Sequence, residues 1–379
     1  MSIERFEMER YQSRYWHLVD YDLSESGVLP MTIRELLGPA ADADAFISGM
    51  SLGYPLSEGS HETRANIADW YPDATAENVT VMNGGSEANF LTLWSLLSSG
   101  DRLAFMIPNY LQGYGLGRHF GRNTDTFRLR LRDGRWALDV DGLNAAVGKK
   151  TRAIMVCNPN NPAGSVLSED EMDAVVAAAD RVGAWIVADE IYRGAELRTD
   201  VASPTFYGRY DKVVVTSGLS KAFAMPGLRL GWVVAPPKMI RRIWNHHDYT
   251  TLAPSMVSDR LAALAMLPEV RESILARTRT IIRANYPVLD AWLRTHEGLF
   301  TWVPPVAGAI QYVDYDLPIR SSALTERFRE DRSVLLVPGE HFGLKRGLRF
   351  GFGFDIEYTL KGLSLVDEVL AELTSAAEA

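Results

Sequence analysis

From residue 79 onward the chain alternates two kinds of apolar pattern. Short, nearly unbroken apolar runs fall at 79–82, 103–107, 153–157, 184–188, 212–216 and 228–234. Between them, apolar residues recur every three or four positions over longer stretches. A run such as Ala184-Trp185-Ile186-Val187-Ala188 has the length of a strand and no polar face, which predicts burial on both sides. The stretches between predict helices. Ser168-Glu169-Asp170-Glu171 reads as a capping box, and Met172, Val175, Val176, Ala179 and Val182 then fall on one helix face. This alternation predicts an α/β fold with a mostly parallel sheet. A long helix over 267–296 follows, then a smaller α/β unit beyond residue 298 that closes with a helix near 358–373. The first 45 or so residues lack the rhythm. They are expected to fold beside the C-terminal unit, giving a large domain at 46–284 and a small one from 1–45 plus 285–379.

Composition narrows the functional classes. At 379 residues, with 47% hydrophobic and 23% charged positions, the chain can bury a large core and is not of disordered type. A formal charge of -9 argues against a nucleic-acid partner, because phosphate binding calls for a basic face. No apolar run approaches a membrane span, and the opening Met1-Ser2-Ile3-Glu4-Arg5-Phe6 does not read as a signal peptide. The single cysteine, Cys157, excludes an intrachain disulfide and suits a reducing cytoplasm, the expected location. The seven histidines are scattered; His246 and His247 are adjacent and would diverge on a helix, so no metal site is expected.

Open parallel sheets bind ligands at the carboxyl ends of their strands, so the residues after each run carry the chemistry. Asn83-Gly84-Gly85-Ser86-Glu87 follows the first run as a Gly-rich entry to a helix, which is either a plain cap or an anion seat of backbone amides. Tyr110 follows the second, placed to stack on a flat ring or to pack in the core. Asn161 lies in the turn after the third and can donate to a phenolate oxygen. Asp189 ends the fourth. There a carboxylate is costly to bury unless it caps a helix or meets a cation such as a protonated pyridine, and Tyr192 lies three residues on. Lys221, flanked by small residues, precedes Pro226-Gly227-Leu228-Arg229-Leu230-Gly231. A lysine in a dry pocket or near a cation is freed as a nucleophile, and an arginine eight positions on can neutralise a phosphate.

In this order and spacing, Lys221, Asp189, Asn161, Arg229 and the Gly84–Ser86 turn resemble the class I/II aminotransferases, which use pyridoxal 5'-phosphate (PLP) on fold type I. The likeness runs from about residue 52 to 354. It implies a mostly parallel seven-stranded sheet in the large domain. It also implies Lys221 as Schiff-base lysine and proton shuttle, with Asp189 on the pyridine nitrogen and Asn161 and Tyr192 on the phenolic oxygen. Tyr110 would stack on the ring. The amides of Gly85, Ser86 and Glu87, with Arg229, would hold the phosphate. Arg349 would grip a substrate α-carboxylate, with Asn161, Gly27 and Tyr249 near the substrate. Tyr54 matches a tyrosine that reaches the neighbouring subunit's phosphate, which implies a homodimer with shared sites.

Three residues before the lysine the family usually has a serine or threonine; here Gly218 stands there, and Ser217 or Ser220 is left to compensate. Short strings, among them Ser26-Gly27-Val28, Asp248-Tyr249 and Arg349-Phe350-Gly351-Phe352-Gly353, also resemble the capreomycidine synthases, PLP enzymes that cyclise a modified arginine. Two activities therefore stay open: amino transfer between an L-amino acid and a 2-oxo acid, or a tailoring elimination, replacement or cyclisation. A regulator's PLP-fold sensor domain is disfavoured by the acidic balance. The stretch 245–251 is either part of the partner's site or a solvated helix end.

Overall fold

A computed structural model describes residues 3–38 and 42–378. Its largest sheet is built from β2 (Val79–Met82), β3 (Arg102–Ile107), β4 (Asn123–Arg132), β5 (Arg135–Leu138), β6 (Thr151–Cys157), β7 (Trp185–Asp189), β8 (Val213–Gly218) and β9 (Gly231–Val234). Before these comes β1 (Tyr21–Asp22); after them come β10 (Phe300–Trp302), β11 (Ile310–Tyr315), β12 (Val334–Leu335), β13 (Val337–Pro338) and β14 (Leu348–Gly351). The large sheet is ordered β2-β9-β8-β7-β6-β3-β4-β5. Strands β8, β7, β6, β3 and β4 pair in parallel, whereas β9 is antiparallel to both β8 and β2, so β2 runs with the parallel set. The expected mostly parallel sheet is present, and an eighth strand, β5, extends it antiparallel beside β4.

Successive residues of each central strand feed opposite cores, as the two-residue period of a strand requires. Ile186 and Ala188 enter one cluster and Val187 the other. Every residue of β2, β8 and β9 is buried, which accounts for their unbroken apolar character. At about 1.5–3 kcal/mol for each large apolar side chain removed from water, this slab fixes the strand ends. The foreseen capping box forms: Ser168 and Glu171 exchange bonds at the start of the helix Glu169–Asp180. The long helix runs Pro268–Arg294 and the last helix Ile356–Glu378.

Two expectations shift. The run at 228–234 enters the sheet only at Gly231, because Pro226–Leu228 form a single 3-10 turn and Arg229 adopts a left-handed conformation at φ 48°. The hairpin of β4 and β5 was missed, since Phe127 and Leu129 are buried between exposed arginines rather than forming an apolar run.

Strands β10, β11, β14 and β13 make a second, antiparallel sheet. The N-terminal part joins it: β1 pairs in parallel with β12, the Gly351 amide bonds the Leu23 carbonyl, and the Leu29 amide bonds the Gly353 carbonyl. Residues 22–29 thus form a strap along β14. A Cβ on Gly351 would overlap the Glu25 carbonyl and one on Gly353 the Gly27 carbonyl, so side-chain-free positions permit this close passage.

Candidate active site

The carboxyl ends of β2, β3, β6, β7 and β8 lie at one edge of the sheet. Antiparallel β9 begins at that edge, so the turn before it, carrying Arg229, arrives at the same place. A cavity of about 680 Å³ opens there; Gly85, Tyr110, Asn161, Asp189, Lys221 and Arg229 are among the residues that line it. The strap and the helix Glu7–Tyr15 close the opposite side with Glu25, Ser26, Met8, Glu9 and Gln12.

Asp189 forms part of the buried wall, held in register between Cys157 and Thr216 of the flanking strands. Its carboxylate accepts from Asn89 Nδ2 at 2.9 Å and from the Ile191 amide at 3.1 Å. Thr216 Oγ1 donates to Asn89 Oδ1 at 2.6 Å, which fixes the amide's orientation. Burial pushes the Asp189 carboxyl up from its ordinary value, and those two neutral donors oppose the shift. A carboxylate so placed is satisfied electrostatically by a cation bound in the cavity.

Lys221 Nζ donates to Glu25 Oε1 at 2.7 Å, and the two side chains are each 23% exposed. The Ser26 and Gly27 amides also donate to Glu25 Oε1, at 2.9 and 2.7 Å. Burial favours the neutral lysine, but the adjoining carboxylate outweighs it and the Lys221 amine is raised overall. For Glu25, burial is outweighed in turn by Lys221 and the amide donors, which lower it to about 2. Nearby, Asn161 Nδ2 donates to Tyr192 Oη at 3.0 Å, and Tyr192 Oη donates to Ser26 Oγ at 3.0 Å. Arg349 lies fully buried behind this group. It donates to Asn161 Oδ1 at 3.0 Å and to the Ser24 carbonyl, with its Nε left without a partner.

The other end of the cavity is an anion seat. Gly84 has φ 90°, and Gly85 and Ser86 begin the helix Gly85–Leu96, whose first amides are unpaired by helix geometry. Arg229 lies against this turn: a Cβ on Gly84 would stand 2.6 Å from Arg229 Nη2. The missing hydroxyl at Gly218 has a packing cause. A Cβ there would stand 2.8 Å from the Leu230 carbonyl and 2.9 Å from Gly231 Cα, where β8 and β9 meet. Of the two serines left to compensate, Ser217 donates to the Glu190 carbonyl, whereas Ser220 lines the cavity with Oγ 3.5 Å from Arg229 Nη1.

Tyr110 lines the cavity, donates to Glu9 Oε1 at 2.8 Å and meets Phe6 edge-on at 4.8 Å. Gly27 backs onto Lys221, where a Cβ would come 3.7 Å from Lys221 Cδ. The Glu87 carboxylate accepts from the Asn83 amide, Thr250 and Thr251, and Glu87 is not among the residues that line the cavity. Tyr54 and Tyr249 are 89% and 80% exposed, and neither lines the cavity. In the stretch 245–251, His247 is completely buried and bonds Thr251 at 2.9 Å and His246 packs on Trp94, while Asn245 and residues 248–251 are exposed.

Sequence reasoning overlooked Glu25, Asn89 and Glu9. A strand-end scan could not reach Glu25 or Glu9, which lie before the first run. Asn89 follows the glycine turn on the helix and was the one with a usable signal.

The aldehyde, ring nitrogen and phosphate of PLP fit this cavity's chemistry: an amine, a buried acid lacking a cation, and an anion seat. The profile of the family described as Aminotransferase class I and II matches residues 22–363. A capreomycidine synthase from Streptomyces vinaceus is 29% identical over 356 residues, covering 92% of this chain and 89% of that protein. A PLP-dependent aminotransferase from Streptococcus suis superposes with a TM-score of 0.91 at 28% identity, covering 98% of this chain and 99% of the other. The PLP-dependent cyclase OrfR gives 0.87 at 30% identity, with 98% of each chain covered. Among the described residues no helix is long and apolar enough to cross a membrane. The chain belongs to the class I and II aminotransferases, PLP-dependent enzymes of fold type I.

Proposed function

We propose that the enzyme moves an amino group between an L-amino acid and a 2-oxo acid, with Lys221 as both tether and proton shuttle. The observation that carries this is the convergence of Lys221, Asp189 and the Gly84–Arg229 seat on one cavity. When bound, PLP supplies an aldehyde for an amine and a protonated ring that draws electrons from the substrate Cα. Asp189, which accepts from Asn89 and the Ile191 amide, would pair with the protonated ring nitrogen. Asn161 and Tyr192 would hold the ring oxygen, and Tyr110 would be the aromatic partner of the ring. The amides of Gly85, Ser86 and Glu87 would hold the phosphate with Arg229, and Ser220 would add the hydroxyl that Gly218 cannot. Arg349, with its spare Nε, binds the α-carboxylate beside Asn161. Lys221, when not tethered, would be the base placed to take the proton from the substrate Cα and to hand it on.

Gly27 shapes the substrate side of the strap. The exposure of Tyr54 and Tyr249 supports a homodimer in which Tyr54 reaches the partner's phosphate seat and Tyr249 the partner's substrate. The division into 46–284 against 1–45 plus 285–379 belongs to the same reading. It is supported by the pairing of β1 with β12.

A second reading keeps these residues and ends in elimination, replacement or ring closure. Its support is the likeness to a capreomycidine synthase and to the OrfR cyclase, together with Glu9 and His17 in the cavity wall, which can move a further proton. Borohydride should fix the cofactor to a single peptide containing Lys221. An amino-acid panel without acceptor then separates the readings. Accumulating pyridoxamine phosphate means amino transfer, whereas repeated turnover without it means the second chemistry.

A further inference from the structure

The bond between Lys221 and Glu25 has no part in the reaction as derived so far. It joins residues 196 apart in sequence at 2.7 Å. Three features show that Glu25 is aimed rather than incidental. Its Oε1 is pinned by two amides of its own strap, so the carboxylate has a fixed position. The strap is anchored to β14 by the Gly351–Leu23 and Leu29–Gly353 backbone bonds and by Arg349 on the Ser24 carbonyl. Gly27, against Lys221 Cδ and the Ser220 carbonyl, lets the strap lie close over the lysine turn. The titratable and charged groups that face the amine are Glu25 from the strap, Tyr192 after β7 and Arg349 from β14. Of these, Glu25 alone is an ionised acid at neutral pH.

We propose that Glu25 is a positioning residue for Lys221, seating the amine as ammonium whenever it is uncoupled and so setting the pH at which Lys221 takes up a carbonyl group. This rests on the reading of Lys221 as the cofactor lysine. For capture, the ammonium first gives one proton to solvent. The nitrogen lone pair then forms the bond to the carbonyl carbon, the nitrogen's two remaining protons leave with the carbonyl oxygen as water, and a C=N bond remains. Glu25 opposes the first of these events, because the proton leaves an ion pair. The same carboxylate gathers the amine back into place after each turnover.

The test uses the full-length chain freed of cofactor with hydroxylamine. Capture of added PLP is timed by borohydride quenching and quantified on the Lys221 peptide between pH 6 and 11 (about the span of lysine titration). An opposite charge at this distance shifts a titration by about 1–3 pH units. Glu25→Gln should therefore capture PLP at least about tenfold faster than wild type at neutral pH. The gap should close at the alkaline end, and Glu25→Asp should keep a wild-type-like profile. A merely structural role would slow or speed all pH values alike. Superimposed profiles of wild type and Glu25→Gln, or a variant slower throughout, would overturn the proposal while leaving the lysine assignment intact. No cofactor on the Lys221 peptide of the wild type at any pH would overturn both. If Glu25→Gln does not fold, competitive acylation of wild-type Lys221 decides. A titration above that of an ordinary lysine supports the proposal, and one at or below it removes Glu25.

Discussion

At the scale of single residues, the acid at the end of β7 depends on its neighbour in the next layer. Asn89 orients toward Asp189 because Thr216 holds its oxygen, so two side chains from two elements act as one donor to the carboxylate. Removing the amide in Asn89→Ala leaves the buried acid easier to protonate and less able to hold a ring cation. A hydrogen bond to a charged group is worth about 1.5–3 kcal/mol. PLP affinity should fall roughly tenfold to a hundredfold on that basis, and equilibrium titration of the cofactor absorbance reads it. An unchanged affinity would remove Asn89 from the network. Asp189 was legible in the sequence because it ends an apolar strand, where a polar residue stands out, and Lys221 because small residues flank it and Arg229 follows eight positions on. Glu25 was not: what marks it is a contact with a residue 196 positions away, which only the folded chain reveals, whereas Asn89 had only its place on the helix after the glycine turn to mark it.

At the scale of elements, the junction of β8, β9 and the Gly84 turn shows why this chain departs from its family. Gly218 and Gly231 face each other across the ladder, and Gly231 in turn abuts the Gly84–Gly85 peptide. Main chains replace side chains at that contact. Gly218→Ser, although it restores the usual family residue, should therefore destabilise the protein by about 1–3 kcal/mol through overpacking. The urea-unfolding midpoint checks this; a variant as stable as wild type with tighter cofactor binding would refute it. The same locality explains which elements could be read in advance. Strands buried on both faces announce themselves as apolar runs. Strand β4, with one face of Arg128, Arg130 and Arg132 exposed, shows only the weaker two-residue alternation. The start of β9 was misplaced because Arg229 turns left-handed to reach the seat, a function that local propensity does not encode.

At the scale of the molecule, the sequence order and the spatial order differ most at the N-terminus. Residues 7–29 run from a helix over the cavity to a strap on the second sheet, so both ends of the chain bear on a site whose core residues lie between 84 and 229. The exposed Tyr54 gives the proposed dimer a sharp test. Lys221→Ala and Tyr54→Ala, each impaired alone, should on mixing and subunit exchange form hybrids with one intact site. In a symmetric two-site dimer, statistical exchange returns up to about a quarter of wild-type activity. No recovery despite demonstrated exchange would mean that each protomer works with its own tyrosine.

The absence of side chains at 351 and 353, where the strap runs alongside, bears on how such an enzyme can be retargeted. Diversity introduced at those two points would jam the main chain itself, so a mutagenesis library should leave them untouched. Variation at Met8 or Trp16 reshapes the chamber's roof, whereas Gln12 should be kept because its amide donates to the Ser24 carbonyl and hydroxyl of the strap. New substrates are thus most readily accommodated by rewriting the first helix, leaving the inherited chemistry beneath it intact.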